Sequence, residues 1–308
     1  SLALRHIAGS QDDQYMNILV TGGCGFIGSH IVEESLKKGW SVSVIDNESS
    51  PENNEFYKFD NAVYHKLDIV NDNIDPLFES IDCVFHLAAK SRIQPSINSP
   101  GGAFDTNVIG TQRVLECALK HSVKKVIYSS SSSCYGHRNQ PPHREDMIPD
   151  CQTPYSLSKK QGEEICHLYS KLYGLSTITL RYFNVYGPRE PIKGQYAPVV
   201  GLFKRMKENG KQLTVIGDGE QRRDFTYVKD VVRANLMSAQ SPIHHDLFNI
   251  GTGRNYSINE VAKMIDDNII YASSRIGEAR ETLANISKAT QLLGWSPEHK
   301  LEDTILKY

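Results

Sequence analysis

The 308-residue sequence lacks the features that mark membrane, secreted or nucleic-acid-binding proteins. No apolar run approaches the ~18 residues that a membrane-spanning helix needs. Basic and acidic residues nearly cancel, at 34 and 36, so there is no excess of positive charge to bind nucleic acid. The six cysteines show no CxxC pair and no regular spacing. This pattern favours reduced thiols in a cytoplasmic protein over disulfides or a zinc site.

Two further absences concern metals and targeting. The eleven histidines show no ligand spacing such as HExxH, so we expect no metal site. Residues 1–15 lack the layout of a signal peptide, and Met16 stands directly before the first strand-like run. We interpret residues 1–15 as a non-native leader and exclude them from the fold prediction.

From Met16 onward, strand-like and helix-like stretches alternate. The predicted strands are 17–21, 41–46, 62–67, 82–89, 125–133 and 176–183, and the predicted helices are 26–39, 103–121 and 155–173. This alternation indicates βαβ units and a parallel sheet covered by helices on both faces. We therefore predict an α/β protein with a Rossmann-type, doubly wound domain over residues 16–184.

The pattern changes after residue 185. A loop rich in glycine and proline is followed by short elements, with helices at 198–208, 228–239 and 258–268 and strands at 213–216 and 247–250. This composition predicts a smaller α/β region over residues 185–308, mainly for substrate binding. Because the boundary is soft, some of its elements are expected to return to the sheet.

The turn after the first predicted strand has the glycine spacing of a dinucleotide-binding loop. Gly23, Gly25 and Gly28 fit GxGxxG, and Gly22, Gly25 and Gly28 fit GxxGxxG. Such glycines allow a tight turn and bring a pyrophosphate to the N-terminus of the following helix. A lone GxGxxG is often only a turn, but this one lies between a predicted strand and a predicted helix.

Acidic residues at the ends of later strands complete the cofactor prediction. Asp46 ends the second predicted strand and is placed to accept hydrogen bonds from a ribose diol. Its charge would repel a 2′-phosphate, and its neighbour is Asn47 rather than an arginine, so we predict NAD and not NADP. Asp68 and Ile69 follow the third predicted strand, where they would meet the adenine.

Tyr155 and Lys159 are four residues apart and share one face of a predicted helix. A free phenol has a pKa near 10, and a neighbouring ammonium together with the positive nicotinamide of NAD⁺ would lower it toward neutrality. Tyr155 would then be a general base for an alcohol. A run of serines at 129–133 ends the strand just upstream, where ligands of open α/β sheets bind.

Six motifs occur in order along the chain: TGGCGFIG (21–28), HLAA (86–89), NVIGT (107–111), SSSSSCYG (129–136), YSLSK (155–159) and RYFNVYGPR (181–189). Together they resemble the extended short-chain dehydrogenase/reductase family, and within it the nucleotide-sugar 4-epimerases. The resemblance extends from Met16 almost to Tyr308.

The resemblance implies roles for individual residues. Ser131 would be the catalytic hydroxyl beside Tyr155 and Lys159. Further NAD contacts would come from Phe26, Ile27, Leu87, Ala88, Ala89, Asn107, Ser129 and Tyr182, as well as from Tyr155 and Lys159. Contacts to a UDP-sugar would come from Ser131, Ser133, Asn184, Val200, Thr214, Ile216, Arg223, Arg275, Glu278 and Thr282.

The implied activity is that of an NAD-dependent isomerase, a UDP-sugar 4-epimerase acting through a 4-keto sugar. Relatives that dehydrate or decarboxylate sugars carry an acidic residue in the strand motif, and residues 131–135 contain none. A small Thr282 favours UDP-N-acetylglucosamine and UDP-N-acetylgalactosamine, with UDP-glucose and UDP-galactose also accepted. The alternatives are a UDP-glucuronate 4-epimerase, another nucleotide-sugar oxidoreductase or dehydratase, and a non-enzymatic NAD-sensing protein.

The resemblance also implies a homodimer. Helices 103–121 and 155–173 would pair with their copies, and Val114, Leu115, Ile165 and Leu168 are the candidate contacts.

Overall fold

The computed structural model describes residues 14–308. Residues 1–13 of the predicted leader therefore lie outside the described residues. The two leader residues that are described both contact the fold. The indole of Trp40 donates a hydrogen bond to the carbonyl oxygen of Gln14 at 3.0 Å, and the hydroxyl of Tyr15 donates to Asn17 at 3.1 Å.

The described residues form thirteen strands and nine α-helices. The strands are β1 (Asn17–Thr21), β2 (Ser41–Asp46), β3 (Val63–Lys66), β4 (Cys83–His86), β5 (Lys125–Ser131), β6 (Thr177–Tyr182), β7 (Val185–Tyr186), β8 (Leu213–Ile216), β9 (Arg222–Arg223), β10 (Thr226–Tyr227), β11 (His245–Ile250), β12 (Tyr256–Ser257) and β13 (Ile269–Ala272). The helices are α1 (Phe26–Lys37), α2 (Ile93–Asn98), α3 (Pro100–Phe104), α4 (Gly110–Lys120), α5 (Pro154–Tyr173), α6 (Val199–Glu208), α7 (Val228–Gln240), α8 (Ile258–Ile265) and α9 (Leu301–Thr304).

Seven of the strands form one parallel sheet in the order β3-β2-β1-β4-β5-β6-β11. The inner strands are buried along nearly their whole length, as expected for a sheet covered on both faces. The strand order reverses between β1 and β4, which opens a crevice at the carboxyl ends of the strands. The predicted Rossmann-type fold is confirmed.

Helices pack on both faces of this sheet. One apolar core lies beneath α1 and α7 and includes Ile31 and Val231. The opposite core lies beneath α4 and α5 and includes Val114, Leu115 and Cys166. Because Val114 and Leu115 are fully buried within the chain itself, the prediction that they contact a second copy is wrong.

The region after residue 185 has its own core, formed by α6, α8 and β8, with small two-stranded sheets around it. Within this region β11 returns to the central sheet and pairs with β6. The predicted helix 258–268 is shorter than expected. It ends at Ile265, and β13 follows. Residues 132 and 133, predicted to continue β5, instead belong to a 3₁₀ turn over residues 132–135.

Among residues 14–308, no helix has both the length and the apolarity needed to cross a membrane.

Candidate active site

A cavity of about 1070 Å³ lies at the carboxyl ends of the strands, between the sheet and the region after residue 185. This volume is at the upper end of the range for small-molecule sites and suits two extended ligands. The predicted residues that line it are Gly22, Gly25, Phe26, Ile27, Gly28, Asp46, Asn47, Asp68, Ile69, Leu87, Ala88, Ala89, Ser131, Ser133, Tyr155, Tyr182, Asn184, Thr214, Ile216, Arg223, Arg275, Glu278 and Thr282. Asn107, Ser129, Lys159 and Val200 are absent from its wall.

The glycine loop at one end of the cavity is shaped by close backbone contacts. Gly22 has a positive φ of 71°, and a Cβ at Gly28 would stand 2.2 Å from the carbonyl oxygen of Gly22. Helix α1 begins directly after Gly25 and has no side-chain cap, so its first amides keep their capacity to bind an anion. The loop therefore fits the pyrophosphate of a dinucleotide.

Asp46 is held at the end of β2 beside this loop. Its carboxylate accepts hydrogen bonds from the amides of Cys24, at 3.0 Å, and Glu48, at 2.8 Å. Burial raises the pKa of Asp46, and these two hydrogen bonds oppose the rise. Each oxygen retains a lone pair, so the carboxylate can still accept hydrogen bonds from a ribose diol.

Tyr155 and Ser131 come from two different elements and line the same cavity. Tyr155 lies in the first turn of α5, which begins at Pro154 with Thr153 as its cap, and its amide donates to the hydroxyl of Ser96 at 3.1 Å. Ser131 ends β5, and its Oγ lies 2.9 Å from the Oγ of Ser133.

The chain's own groups leave the pKa of Tyr155 above its ordinary value. Burial raises this pKa, while the Ser131 hydroxyl and the charge of Arg92 act against the rise. Lys159, expected to supply this lowering, instead donates from Nζ to the carbonyl oxygen of Ser129 at 2.8 Å. Burial also lowers the pKa of Lys159 to about 8. The lowering of the Tyr155 pKa that was expected from Lys159 is therefore not found among these contacts, and the lowering expected from the nicotinamide of NAD⁺ stays a prediction.

Two further residues behind the wall support it through hydrogen bonds. The side-chain amide nitrogen of Asn107 donates to the hydroxyl of Ser158 at 2.9 Å and to the carbonyl oxygen of Lys90. Its side-chain oxygen accepts a hydrogen bond from the backbone amide of Lys90. The Oγ of Ser129 lies 2.7 Å from the hydroxyl of Tyr182. Val200 is buried in the core of the region after residue 185.

A buried ion pair that the sequence analysis missed lies behind β5. Arg181 donates to both carboxylate oxygens of Glu163, at 2.7 and 2.8 Å, and Ser130 donates to the same carboxylate at 2.6 Å. The two partners stand 18 residues apart, on β6 and α5, so no local spacing signals the pair.

The opposite wall carries two arginines. Arg223 is partly buried and donates to the carbonyl oxygen of Arg222 at 2.9 Å, and burial lowers its pKa, with the charge of Glu278 opposing this. Arg275 donates to the carbonyl oxygen of Gln195 at 3.2 Å and lies over the ring of Tyr196. Neither guanidinium forms an ion pair with any residue of the described chain, so both remain available to an anion.

Thr282 lines the same cavity as these arginines. It is buried, and its hydroxyl accepts a hydrogen bond from the amide of Asp224 at 3.3 Å. Asn184, Thr214 and Ile216 complete this side of the cavity. No cluster of metal-ligating side chains occurs within residues 14–308.

Comparison with known proteins gives consistent matches. The model of the NAD-dependent epimerase/dehydratase family matches residues 18–251. A UDP-glucose 4-epimerase of Thermotoga maritima, solved with UDP-glucose, is 37% identical with a TM-score of 0.89, and the match covers 94% of this chain and 96% of that one. A UDP-N-acetylglucosamine 4-epimerase of Methanobrevibacter ruminantium, in complex with UDP-N-acetylmuramic acid, is 33% identical with a TM-score of 0.89, and the match covers 95% of this chain and 96% of that one. A UDP-glucuronic acid 4-epimerase of Bacillus cereus, in complex with UDP-glucuronic acid and NAD, is 32% identical with a TM-score of 0.86, over 94% and 96%.

Proposed function

The chain belongs to the NAD-dependent epimerase/dehydratase family, and on that premise we propose that it is a UDP-sugar 4-epimerase. The family membership confirms the expected resemblance and the expected cofactor, NAD. One observation carries the proposal: the hydroxyls of Tyr155 and Ser131 face the same cavity as the glycine loop and the arginines Arg223 and Arg275.

Bound NAD supplies reversible hydride exchange at C4 of the sugar. Tyr155 takes the proton of the 4-hydroxyl as a general base, and Ser131 holds the same oxygen by a hydrogen bond. Lys159 follows one helical turn later, donates to the carbonyl oxygen of Ser129, and would bind the nicotinamide ribose. Arg223 and Arg275 hold the diphosphate while the 4-keto sugar turns its other face, after which Tyr155 returns the proton.

Two features favour epimerisation over dehydration. No acidic residue stands in the Ser131–Tyr135 segment. Glu163 is the nearest acidic side chain on the neighbouring helix, and both of its oxygens are bound by Arg181. Elimination of water would therefore lack a proton-transfer group beside Tyr155. The non-enzymatic alternative, an NAD-sensing protein, is disfavoured because Tyr155 and Lys159 are both present.

For the sugar, we propose that the pocket accepts an N-acetylated C2 position. Thr282 is small, and its hydroxyl is turned to the amide of Asp224, which leaves space for an acetamido group. Interconversion of UDP-N-acetylglucosamine and UDP-N-acetylgalactosamine is therefore expected, with UDP-glucose and UDP-galactose as further substrates. A UDP-glucuronate 4-epimerase is the second candidate, and the charge of Arg92 favours it.

We further propose a homodimer and a cytoplasmic location. Leu157, Leu168 and Leu172 are exposed along one face of α5, and an apolar face of this kind suits a second copy. All six cysteines are free thiols, as expected in a reducing compartment.

The test is to incubate the purified protein with UDP-glucose and with UDP-N-acetylglucosamine, without added NAD, and to separate the products by anion exchange. We expect the C4 epimer of each and no net reduction of cofactor. Failure to convert any UDP-sugar with NAD bound, or release of a dehydrated product, would contradict the proposal.

A further inference from the structure

A third arginine in the cavity wall, Arg92, has no role in the chemistry described above. It caps the N-terminus of α2, lines the cavity, and is partly buried. Its Nε atom is buried without a hydrogen-bond partner, and its side chain makes no ion pair within residues 14–308. Arg181 is buried as well, but Glu163 binds it with both oxygens. A buried cation without such a partner is costly unless a ligand supplies the anion.

Arg92 is fixed close to Tyr155. Its carbonyl oxygen accepts from the amide of Ser96 at 3.3 Å, and the hydroxyl of Ser96 accepts from the amide of Tyr155 at 3.1 Å. The charge of Arg92 also acts on the Tyr155 phenol and opposes the rise of its pKa. On the other side of α2, Gln94 donates to the carbonyl oxygen of Ile276 at 2.8 Å, which ties this helix to the loop that carries Arg275.

No negatively charged group around the cavity neutralises Arg92 within residues 14–308. Arg223 and Arg275 suffice for the diphosphate, which carries one negative charge on each phosphate. Glu52 attracts Arg92 electrostatically, but the two side chains form no ion pair. Burial lowers the pKa of Arg92, and guanidinium stays charged in proteins nonetheless. The sugar end of the cavity therefore holds one positive charge more than a neutral UDP-hexose can use.

We propose that Arg92 binds a carboxylate on C6 of the sugar, so that, for a given substituent at C2, UDP-uronates are preferred over neutral UDP-hexoses. The inference rests on the proposed 4-epimerase function. In a hexopyranose, C6 is attached to C5, the neighbour of C4, so a C6 carboxylate lies beside the 4-hydroxyl that Tyr155 deprotonates. The proposed acetamido space at Thr282 concerns C2, and a UDP-N-acetylhexosaminuronate would satisfy both residues.

The test compares wild type with Arg92→Gln, which removes the charge, and Arg92→Lys, which keeps it. Arg223→Gln serves as the matched control, because its expected ligand is the diphosphate that every UDP-sugar carries. We would measure kcat/KM for UDP-glucuronate and UDP-glucose, and the dissociation constants of both sugars and of NAD by calorimetry. Cofactor content and near-ultraviolet circular dichroism would establish that each variant is folded.

In wild type, we expect kcat/KM for UDP-glucuronate to exceed that for UDP-glucose by at least about tenfold. Arg92→Gln should lower kcat/KM for UDP-glucuronate roughly ten- to hundredfold, because a charge-assisted hydrogen bond is lost. The same substitution should lower kcat/KM for UDP-glucose less than about threefold. Arg92→Lys should recover part of this loss, whereas Arg223→Gln should lower kcat/KM for both UDP-sugars by the same factor.

Three results would overturn the inference. The first is that the wild-type enzyme prefers neutral sugars, and the second is that Arg92→Gln lowers kcat/KM for both sugars equally. Either result would exclude a carboxylate as the partner of Arg92 and would leave the epimerase proposal intact. A fall in NAD affinity in Arg92→Gln, without a selective effect on sugars, would assign Arg92 to the cofactor pyrophosphate. If no UDP-sugar is converted by wild type and UDP-glucuronate binds no better than UDP-glucose, both proposals fail.

Discussion

The sheet side of the cavity presents mainly backbone groups, together with the unpaired Arg92, whereas the side formed after residue 185 presents two arginines without acidic partners. On the sheet side, the glycine loop and the first amides of α1 offer N–H groups, and Arg181 is neutralised by Glu163. On the other side, Arg223 and Arg275 bond only to backbone carbonyl oxygens. The cofactor side is therefore defined by shape, and the substrate side by charge.

This difference has a consequence for binding. A backbone cradle should bind its ligand with little dependence on salt, because its amides carry only partial charges. Partly exposed arginines are screened by salt, so the affinity for UDP-sugars should fall with ionic strength more steeply than that for NAD. The two sides can be tested separately by substitutions that alter only one of them.

The largest expected effect lies where the two sides meet. Tyr155→Phe removes the proposed general base and should lower kcat by about 10²–10⁴-fold, while the affinities for NAD and UDP-sugars stay near wild type. Tyr173→Phe, on the exposed end of the same helix, is the control and should be fully active. Steady-state kinetics and calorimetry measure the two quantities. Near-normal turnover in Tyr155→Phe would contradict the assignment.

The second prediction concerns the shape of the cofactor side. Gly28→Ala places a Cβ 2.2 Å from the carbonyl oxygen of Gly22, so the loop must open and the affinity for NAD should fall at least about a hundredfold. Gly101→Ala is the control, because no atom lies within 4 Å of its added Cβ. The ultraviolet spectrum of cofactor released on denaturation measures the bound NAD. Full cofactor content in Gly28→Ala would show that the cradle is not the binding element.

The two sides also differ in how far the sequence predicted them. Strands β1 and β2 were predicted to the residue, because short apolar runs and a glycine turn define them locally. On the other side, β13 was not predicted, and the helix before it was predicted to continue to residue 268, since the partner strand β8 is more than fifty residues away along the chain. Local periodicity carries no information about such pairing.

The same distinction applies to the candidate site. Tyr155, Ser131 and the glycine loop belong to motifs with a recognisable spacing along the sequence, and the structure brings them to one cavity. The pair Glu163–Arg181 and the unpaired Arg92 have no such signal, because their environments depend on elements that meet only in three dimensions. Val200 is the opposite case, because it was predicted from the sequence and its side chain is buried in the core of the region after residue 185. Its contact with the substrate stays a prediction.

The third prediction tests the sugar pocket on the charged side. Thr282→Tyr introduces a bulky ring at a buried position and should lower kcat/KM for UDP-N-acetylglucosamine at least roughly tenfold more than for UDP-glucose. Thr282→Ser keeps the hydroxyl that binds the Asp224 amide and should preserve both activities. Parallel assays with the two sugars measure the ratio. An equal loss for both would remove Thr282 as the gate and leave the substrate as UDP-hexoses in general.

The smallest expected effect concerns stability. Glu190, in the region after residue 185, is buried and accepts hydrogen bonds from Tyr308 at 2.8 Å and from the Gly187 amide at 3.3 Å. Burial raises the pKa of Glu190 to about 7, and these hydrogen bonds and the charge of Lys204 oppose the rise. Glu190 forms no ion pair within residues 14–308, so this region again holds a buried charge without a close partner of opposite sign.

The raised pKa sets the direction of the pH dependence. Since the folded protein binds this proton more tightly than the unfolded chain, the free energy of unfolding should fall as pH rises from about 4.5 to about 7 and stay level above that. The expected loss is on the order of 3 kcal/mol. Glu190→Gln cannot titrate and should lose less stability between pH 5 and pH 8, as measured by urea denaturation, whereas Glu79→Gln at an exposed position should behave as wild type. An unchanged pH dependence in Glu190→Gln would mean that the carboxylate is accommodated in the folded state as well as in water.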